Sequence, residues 1–179
     1  MAGVCSPSTN FRIMKRLLSI LLLSVVLIGC SEERVLYDEL TNKGTVENPT
    51  VYFAGALFNG VGFDIYPDGQ LEYEINYKDG ELDGLYRRWY ENGQLKQEYD
   101  YKDGKEDGLY RLWYENGQLF YEYNYKDGKK DGLERWWYPN GQLEWEYNYK
   151  DGKKDGLYRS WDEDGQLKRE YNFKDGVKL

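Results

Sequence analysis

The sequence predicts an all-β fold: an elongated, twisted antiparallel meander of tandem 24-residue β-hairpin repeats, about eleven strands in all. Three observations predict it. Asp83-Gly84, Asp107-Gly108, Asp131-Gly132 and Asp155-Gly156 recur every 24 residues, and Asn59-Gly60 fits the same spacing one step upstream. A second Asn-Gly or Asp-Gly pair divides each period, at Asp68-Gly69, Asn92-Gly93, Asn116-Gly117, Asn140-Gly141 and Asp164-Gly165. The segments between these pairs alternate and rely on amphipathic rings, with 19 Tyr, 6 Trp and 6 Phe in 179 residues, which suits strands better than helices.

The elements follow in chain order. Residues 1–13 fit no part of a leader and are taken as an upstream misassigned start ahead of Met14. Residues 14–29 open on Lys15 and Arg16 and then run apolar from Leu17 to Ile28, the order of a secretory signal. That run falls short of the ~20 apolar residues of a membrane span. Leu27-Ile28-Gly29-Cys30 resembles a bacterial lipobox. The resemblance implies cleavage before Cys30, lipidation of its thiol and acylation of the new amine; two or more acyl chains anchor stably where one binds marginally. Ser31-Glu32-Glu33 looks like the surface-export signal of some Bacteroidetes lipoproteins. The expected location is therefore the cell envelope, lipid-anchored at the outer membrane, with the periplasmic and surface faces both open. Residues 30–50 are polar, without sustained periodicity, and are expected to form an acidic flexible tether.

Residues 51–179 form the repeat domain: a half-repeat at 51–58, whose Val51-Tyr52-Phe53 looks like a capping strand, then units 59–82, 83–106, 107–130, 131–154 and 155–178. Asn-Gly between alternating segments signals a type I′ hairpin, in which both turn residues need positive φ, so Gly69, Gly93, Gly117, Gly141 and Gly165 are structural turn residues. A two-residue turn at Asn92-Gly93 sets Tyr90 opposite Leu95, Arg88 opposite Gln97, Arg87 opposite Glu98 and Tyr86 opposite Tyr99. Tyr86, Tyr90, Leu95, Tyr99 and Tyr101 then share one face, and Leu85, Arg87, Trp89, Lys96 and Glu98 the other. The Lys-Asp-Gly turn at Asp103-Gly104 carries the chain to the next unit and sets Gly108 opposite Tyr99.

The spacing of Gly-Leu-Tyr-x-x-Trp-Tyr, Asn-Gly-Gln-Leu, Glu-Tyr and Lys-Asp-Gly-Lys-x-Asp-Gly from Val51 to Leu179 is similar to the MORN repeat variant of bacterial proteins labelled YwqK-like antitoxins. The resemblance implies a β-meander with an aromatic surface. Eukaryotic relatives are linked to membrane attachment, lipid contact and protein scaffolding. A lipoprotein leader separates this chain from a cytoplasmic antitoxin.

Composition excludes much chemistry. There is no His, and Cys5 and Cys30 are the only cysteines, which removes His-based acid/base catalysis, thiol-histidine nucleophiles and the usual zinc sites. Asp83, Asp107, Asp131 and Asp155 recur as turn residues, with lysines interleaved where calcium would need oxygen ligands. Arg87/Glu98, Arg111/Glu122, Arg135/Glu146 and Arg159/Glu170 recur as cross-strand pairs worth about 0.2–1 kcal/mol each. No catalytic residue, metal or cofactor is expected. Of the 24 Lys and Arg, Arg12, Lys15 and Arg16 precede Cys30 while all 32 acids follow it, a net −11 from Cys30 onward that disfavours nucleic acid.

Differences between units point to binding. The pair Arg88/Gln97 becomes Leu112/Tyr121, then Trp136/Trp145, then Ser160/Arg169, and Phe120 joins this set from the opposite face. Leu112, Phe120, Tyr121, Trp136 and Trp145 form the candidate binding patch. The expected partner is a protein, with membrane contact through lipid on Cys30. Carbohydrate or cell-wall binding and an antitoxin-like role in a toxin-antitoxin or immunity system are the alternatives.

Overall fold

The computed structural model describes residues 32–43 and 50–179; the segment expected to be a leader, Cys30 and Asn48-Pro49 lie outside the described residues. The chain begins with β1 (Arg34–Leu36), a 3-10 turn at Tyr37–Glu39 and β2 (Thr41–Asn42), then continues with β3 (Val51–Phe53) and β4 (Ala56–Leu57). The repeats follow as β5 (Gly60–Ile65), β6 (Leu71–Lys78), β7 (Glu81–Trp89), β8 (Leu95–Lys102), β9 (Lys105–Trp113), β10 (Leu119–Lys126), β11 (Lys129–Lys130), β12 (Gly132–Trp137), β13 (Leu143–Lys150), β14 (Lys153–Trp161), β15 (Leu167–Lys174) and β16 (Val177–Lys178). Strands β1 and β5 to β16 form one 13-stranded sheet, and β2, β3 and β4 form a second. The repeats build an antiparallel meander as expected; β1 makes the sheet mixed by pairing parallel to β5.

The Asn-Gly turns differ from the type I′ expectation. At Asn92-Gly93, positive φ falls on the glycine alone, at 80°. Gly93 N–H donates to Tyr90 O and Tyr90 N–H to Gln94 O, each 2.9 Å. That is a three-residue loop: a type I turn closed by a left-handed glycine bulge. Asn92 Oδ1 accepts from Gln94 N–H at 2.9 Å, which fixes the tighter conformation without a left-handed Asn. The type I′ turns are the Lys-Asp-Gly ones, where Asp103 (φ 47°) and Gly104 (φ 75°) are both left-handed.

Bulges follow from these turns. Tyr86↔Tyr99, Arg87↔Glu98 and Arg88↔Gln97 pair as predicted, but the register shifts after Arg88 and Leu95 faces Trp89 rather than Tyr90. Between units a second shift places Tyr99 opposite Tyr110, not Gly108. Gly108 lies against Asp100 instead, where a Cβ would come within 2.8 Å of the Asp100 Cβ, and Leu109 N–H donates to Asp100 Oδ2 at 3.2 Å. An Asp-Gly bulge in each later unit keeps the tyrosines aligned.

The segment expected to be a tether is ordered over residues 32–43. Val61 N–H donates to Glu33 O, and Arg34 supplies the rung missing from the first unit: its guanidinium contacts Glu74 at 3.1 Å and sits 5.3 Å from the centre of the Phe63 ring. The 51–58 half-repeat does not extend the main sheet. Its hairpin packs over it, burying Val35, Val51, Phe58, Ile75 and Tyr77 with Leu40 and Tyr73 against them. Gly62 stands where later units carry Tyr or Glu because a Cβ there would lie 2.8 Å from Leu40 Cδ1. Among the described residues, the buried side chains beyond Tyr77 are those of Tyr123 and Glu134.

Candidate binding surface

Two rows of side chains cross the sheet. On one face Arg87, Arg111, Arg135 and Arg159 each reach a glutamate on both neighbouring strands; Arg111, for example, meets Glu122 at 2.8 Å and Glu98 at 3.6 Å. The recurring pairs expected from sequence are thus one continuous ladder from Arg34 to Glu170. Its rungs are partly solvated, so each contributes modestly.

On the other face Tyr86, Tyr99, Tyr110 and Tyr123 align, with ring centres 5.1, 4.2 and 4.3 Å apart, and the row resumes at Tyr147, Tyr158 and Tyr171. Pairs of this kind contribute about 0.5–1.5 kcal/mol each beyond burial. Burial pushes the Tyr101 phenol up to about 12, with Glu106 adding to the shift, and likewise raises Tyr99 and Tyr123. These hydroxyls stay protonated at neutral pH, and that of Tyr99 donates to Tyr110 Oη at 3.0 Å.

The row is broken once, at Glu134, which occupies the tyrosine position of its unit and is 5 % exposed. Lys130 Nζ reaches Glu134 Oε1 at 2.5 Å, and the Tyr121 hydroxyl donates to the same oxygen. The ammonium also lies 4.5 Å from the Tyr123 ring centre and 5.3 Å from that of Tyr149. Sequence reasoning missed this pair. Its signal was visible, since Gly-Leu-Glu replaces Gly-Leu-Tyr in that unit, but its importance depends on neighbours two strands away.

Four of the five patch residues form one ring cluster around that break. Trp136 lies 4.5 Å from Tyr121, 5.2 Å from Trp145 and 5.7 Å from Phe120. Leu112 pairs with Tyr121 on the next strand. Phe120, expected on the opposite face, reaches the cluster because the register shift between Leu119 and Tyr121 turns it toward Trp136 and Tyr114. Gly69, Gly93, Gly117, Gly141 and Gly165 all occupy left-handed turn positions. Cys30 lies outside the described residues. Among the described residues, no group of three or more Asp, Glu, His or Cys side chains is arranged to hold a metal.

A hairpin unit repeated five times in one sheet, tied by a tyrosine row and an arginine–glutamate ladder, defines a tandem β-repeat protein. The chain belongs to the MORN repeat variant family, which matches residues 58–79, 82–103, 106–127, 130–151 and 154–175. No curated protein matches. Among solved structures, S. aureus TarM in complex with fondaparinux, alpha-GlcNAc-glycerol and UDP is similar at 11% identity and a TM-score of 0.34, over 66% of this chain and 21% of that one. A GtfA/B complex bound to UDP and GlcNAc is similar at 12% identity and a TM-score of 0.27, over 80% of this chain and 27% of that one. This chain therefore spans about a quarter of either structure, and at these scores neither bears on its function.

Proposed function

We propose that this chain is a non-catalytic binding repeat, held at the cell envelope by lipid on Cys30, whose tyrosine face receives a protein partner around Trp136 and Trp145. The observation that carries this reading is the convergence of the units' differences. Leu112, Tyr121, Trp136 and Trp145 are adjacent across β9, β10, β12 and β13, half-buried on a face with no second layer among the described residues. Residues that only served the repeat would not vary together on one face. Half-buried aromatic clusters of this kind are common anchors of protein interfaces.

Trp136 packs against three other rings, so truncating it would disturb the sheet as well as any contact. The test therefore writes the pair Arg88/Gln97 of an earlier unit into this one, as Trp136→Arg with Trp145→Gln. Partner capture by crosslinking in intact cells is expected to fall at least about tenfold with the thermal midpoint held within a few degrees. Unchanged capture contradicts the reading. Anchoring is tested separately: palmitate labelling is expected to disappear in Cys30→Ser, and labelling that persists contradicts it. Glycan binding is the alternative outcome, recognised by retention on a cell-wall polysaccharide column that the same double variant abolishes.

A further inference from the structure

The residue closing each Lys-Asp-Gly hairpin on the tyrosine face differs between units: Leu82, Glu106, Lys130, Lys154 and Lys178. In the last three units the chain supplies its own cation to the rings. Lys130 sits 4.5 Å from the Tyr123 ring centre, Lys154 3.4 Å from Tyr147 and Lys178 3.3 Å from Tyr171. Glu106 holds the same register, opposite Tyr101 as Lys130 is opposite Tyr125. It stands among Tyr101, Tyr123 and Tyr125, and among the described residues it has no ion-pair partner. Burial raises its carboxyl, against which the Tyr125 hydroxyl works, so the charge is incompletely compensated within the chain.

We infer that the Glu106 position is a receptor site for a lysine side chain of the protein partner, with the tyrosine faces and one carboxylate doing for a foreign ammonium what the equivalent rings and Glu134 do for Lys130. This rests on the proposed partner-binding role and names the partner's chemistry. A chain with net charge −11 beyond Cys30 favours a basic partner segment on electrostatic grounds. Aromatic faces and a carboxylate together hold ammonium groups by charge and ring quadrupole.

The full chain is titrated with N-acetyl-lysine methylamide, and with the norleucine analogue as uncharged control, while ring-proton resonances of Tyr101 and Tyr125 are followed. Saturable shifts are expected with the lysine probe alone. Glu106→Lys, which installs the residue of the three later units and so is compatible with the fold, is expected to weaken the probe at least about tenfold with an unchanged thermal midpoint. Lys154→Glu is expected to add a second saturable site reported by Tyr147. The inference is overturned if the wild type shows no saturable shift, if norleucine binds equally, or if Glu106→Lys leaves binding intact. If Trp136→Arg with Trp145→Gln abolishes partner capture and Glu106→Lys does not, the lysine site fails while the partner-binding role stands.

Discussion

The two ends of the repeat array are stabilised differently. At the first unit, a second small sheet covers the tyrosine face and buries Val35, Val51, Phe58, Ile75 and Tyr77 in a two-layer core. From the second unit onward the same face is half-buried except at Tyr123 and Glu134, and lateral rows replace the missing layer: stacked phenols on one side, the arginine–glutamate ladder on the other. The difference teaches what a single-layer sheet requires. Rings bury one another sideways, and each ladder arginine finds a glutamate on both neighbouring strands. It also leaves the later units with an aromatic face available to a partner.

The largest expected effect exploits the phenols. Burial raises the pKa of Tyr73, Tyr77, Tyr99, Tyr101, Tyr121, Tyr123 and Tyr149 above the ordinary value of 10. The folded state thus holds these protons more tightly than the unfolded chain, so their contribution is complete below pH ~10 and is lost as pH rises beyond it. Tyrosinate absorbance and loss of β-sheet circular dichroism are expected to rise together in one alkaline step. Free titration of the phenols with the sheet intact contradicts the lateral-row account.

Phe58→Ala strikes the capped end. Phe58 is 2 % exposed, and its loss is expected to cost about 3–5 kcal/mol in denaturant unfolding. Hydrogen exchange should accelerate first in β1 to β6, with β13 to β15 still protected. A uniform acceleration would mean that the array has no independent lateral stability.

Lys130→Met leaves Glu134 buried without its cation and is expected to cost about 2–4 kcal/mol. Adding Glu134→Tyr, which restores the row, is expected to recover most of that loss. Failure to recover would show that the break is not an electrostatic pair set into an otherwise regular row.

The smallest effect belongs to the ladder. Arg111→Ala removes contacts to Glu98 and Glu122 that are partly solvated and is expected to cost about 0.5–1 kcal/mol, less at high salt. A thermal midpoint insensitive to both substitution and salt would assign the ladder no role in stability.

Much of this was legible in the sequence. The period, the strand order and the pairing of Arg87 with Glu98 follow from alternation and from Asp-Gly spacing. The turn types did not, because Asn92 uses its side chain to stabilise a negative φ that the Asn-Gly pair alone does not reveal. Bulges escaped for the same reason. The shift after Arg88 changes the residue that Leu95 faces, the separate shift between Leu119 and Tyr121 turns Phe120, and nothing local in the alternation marks either. The ordering of Arg34 to Asn42 was illegible because short strands carry no period; Arg34 is recruited by a rung missing 40 residues further on. The patch was located by comparing units, whereas Glu134 at its centre required the cross-strand register.

The central claim, that a partner lies on the tyrosine face, is tested most directly by site-specific photocrosslinking in intact cells. A photoreactive residue replaces Leu112 or Trp145 on that face, or Leu133, which is exposed one position before Glu134 and points to the opposite side. Adducts of one discrete protein partner are expected from Leu112 and Trp145 and none from Leu133. Adducts from Leu133 with none from the other two would place the partner on the ladder face and contradict the account.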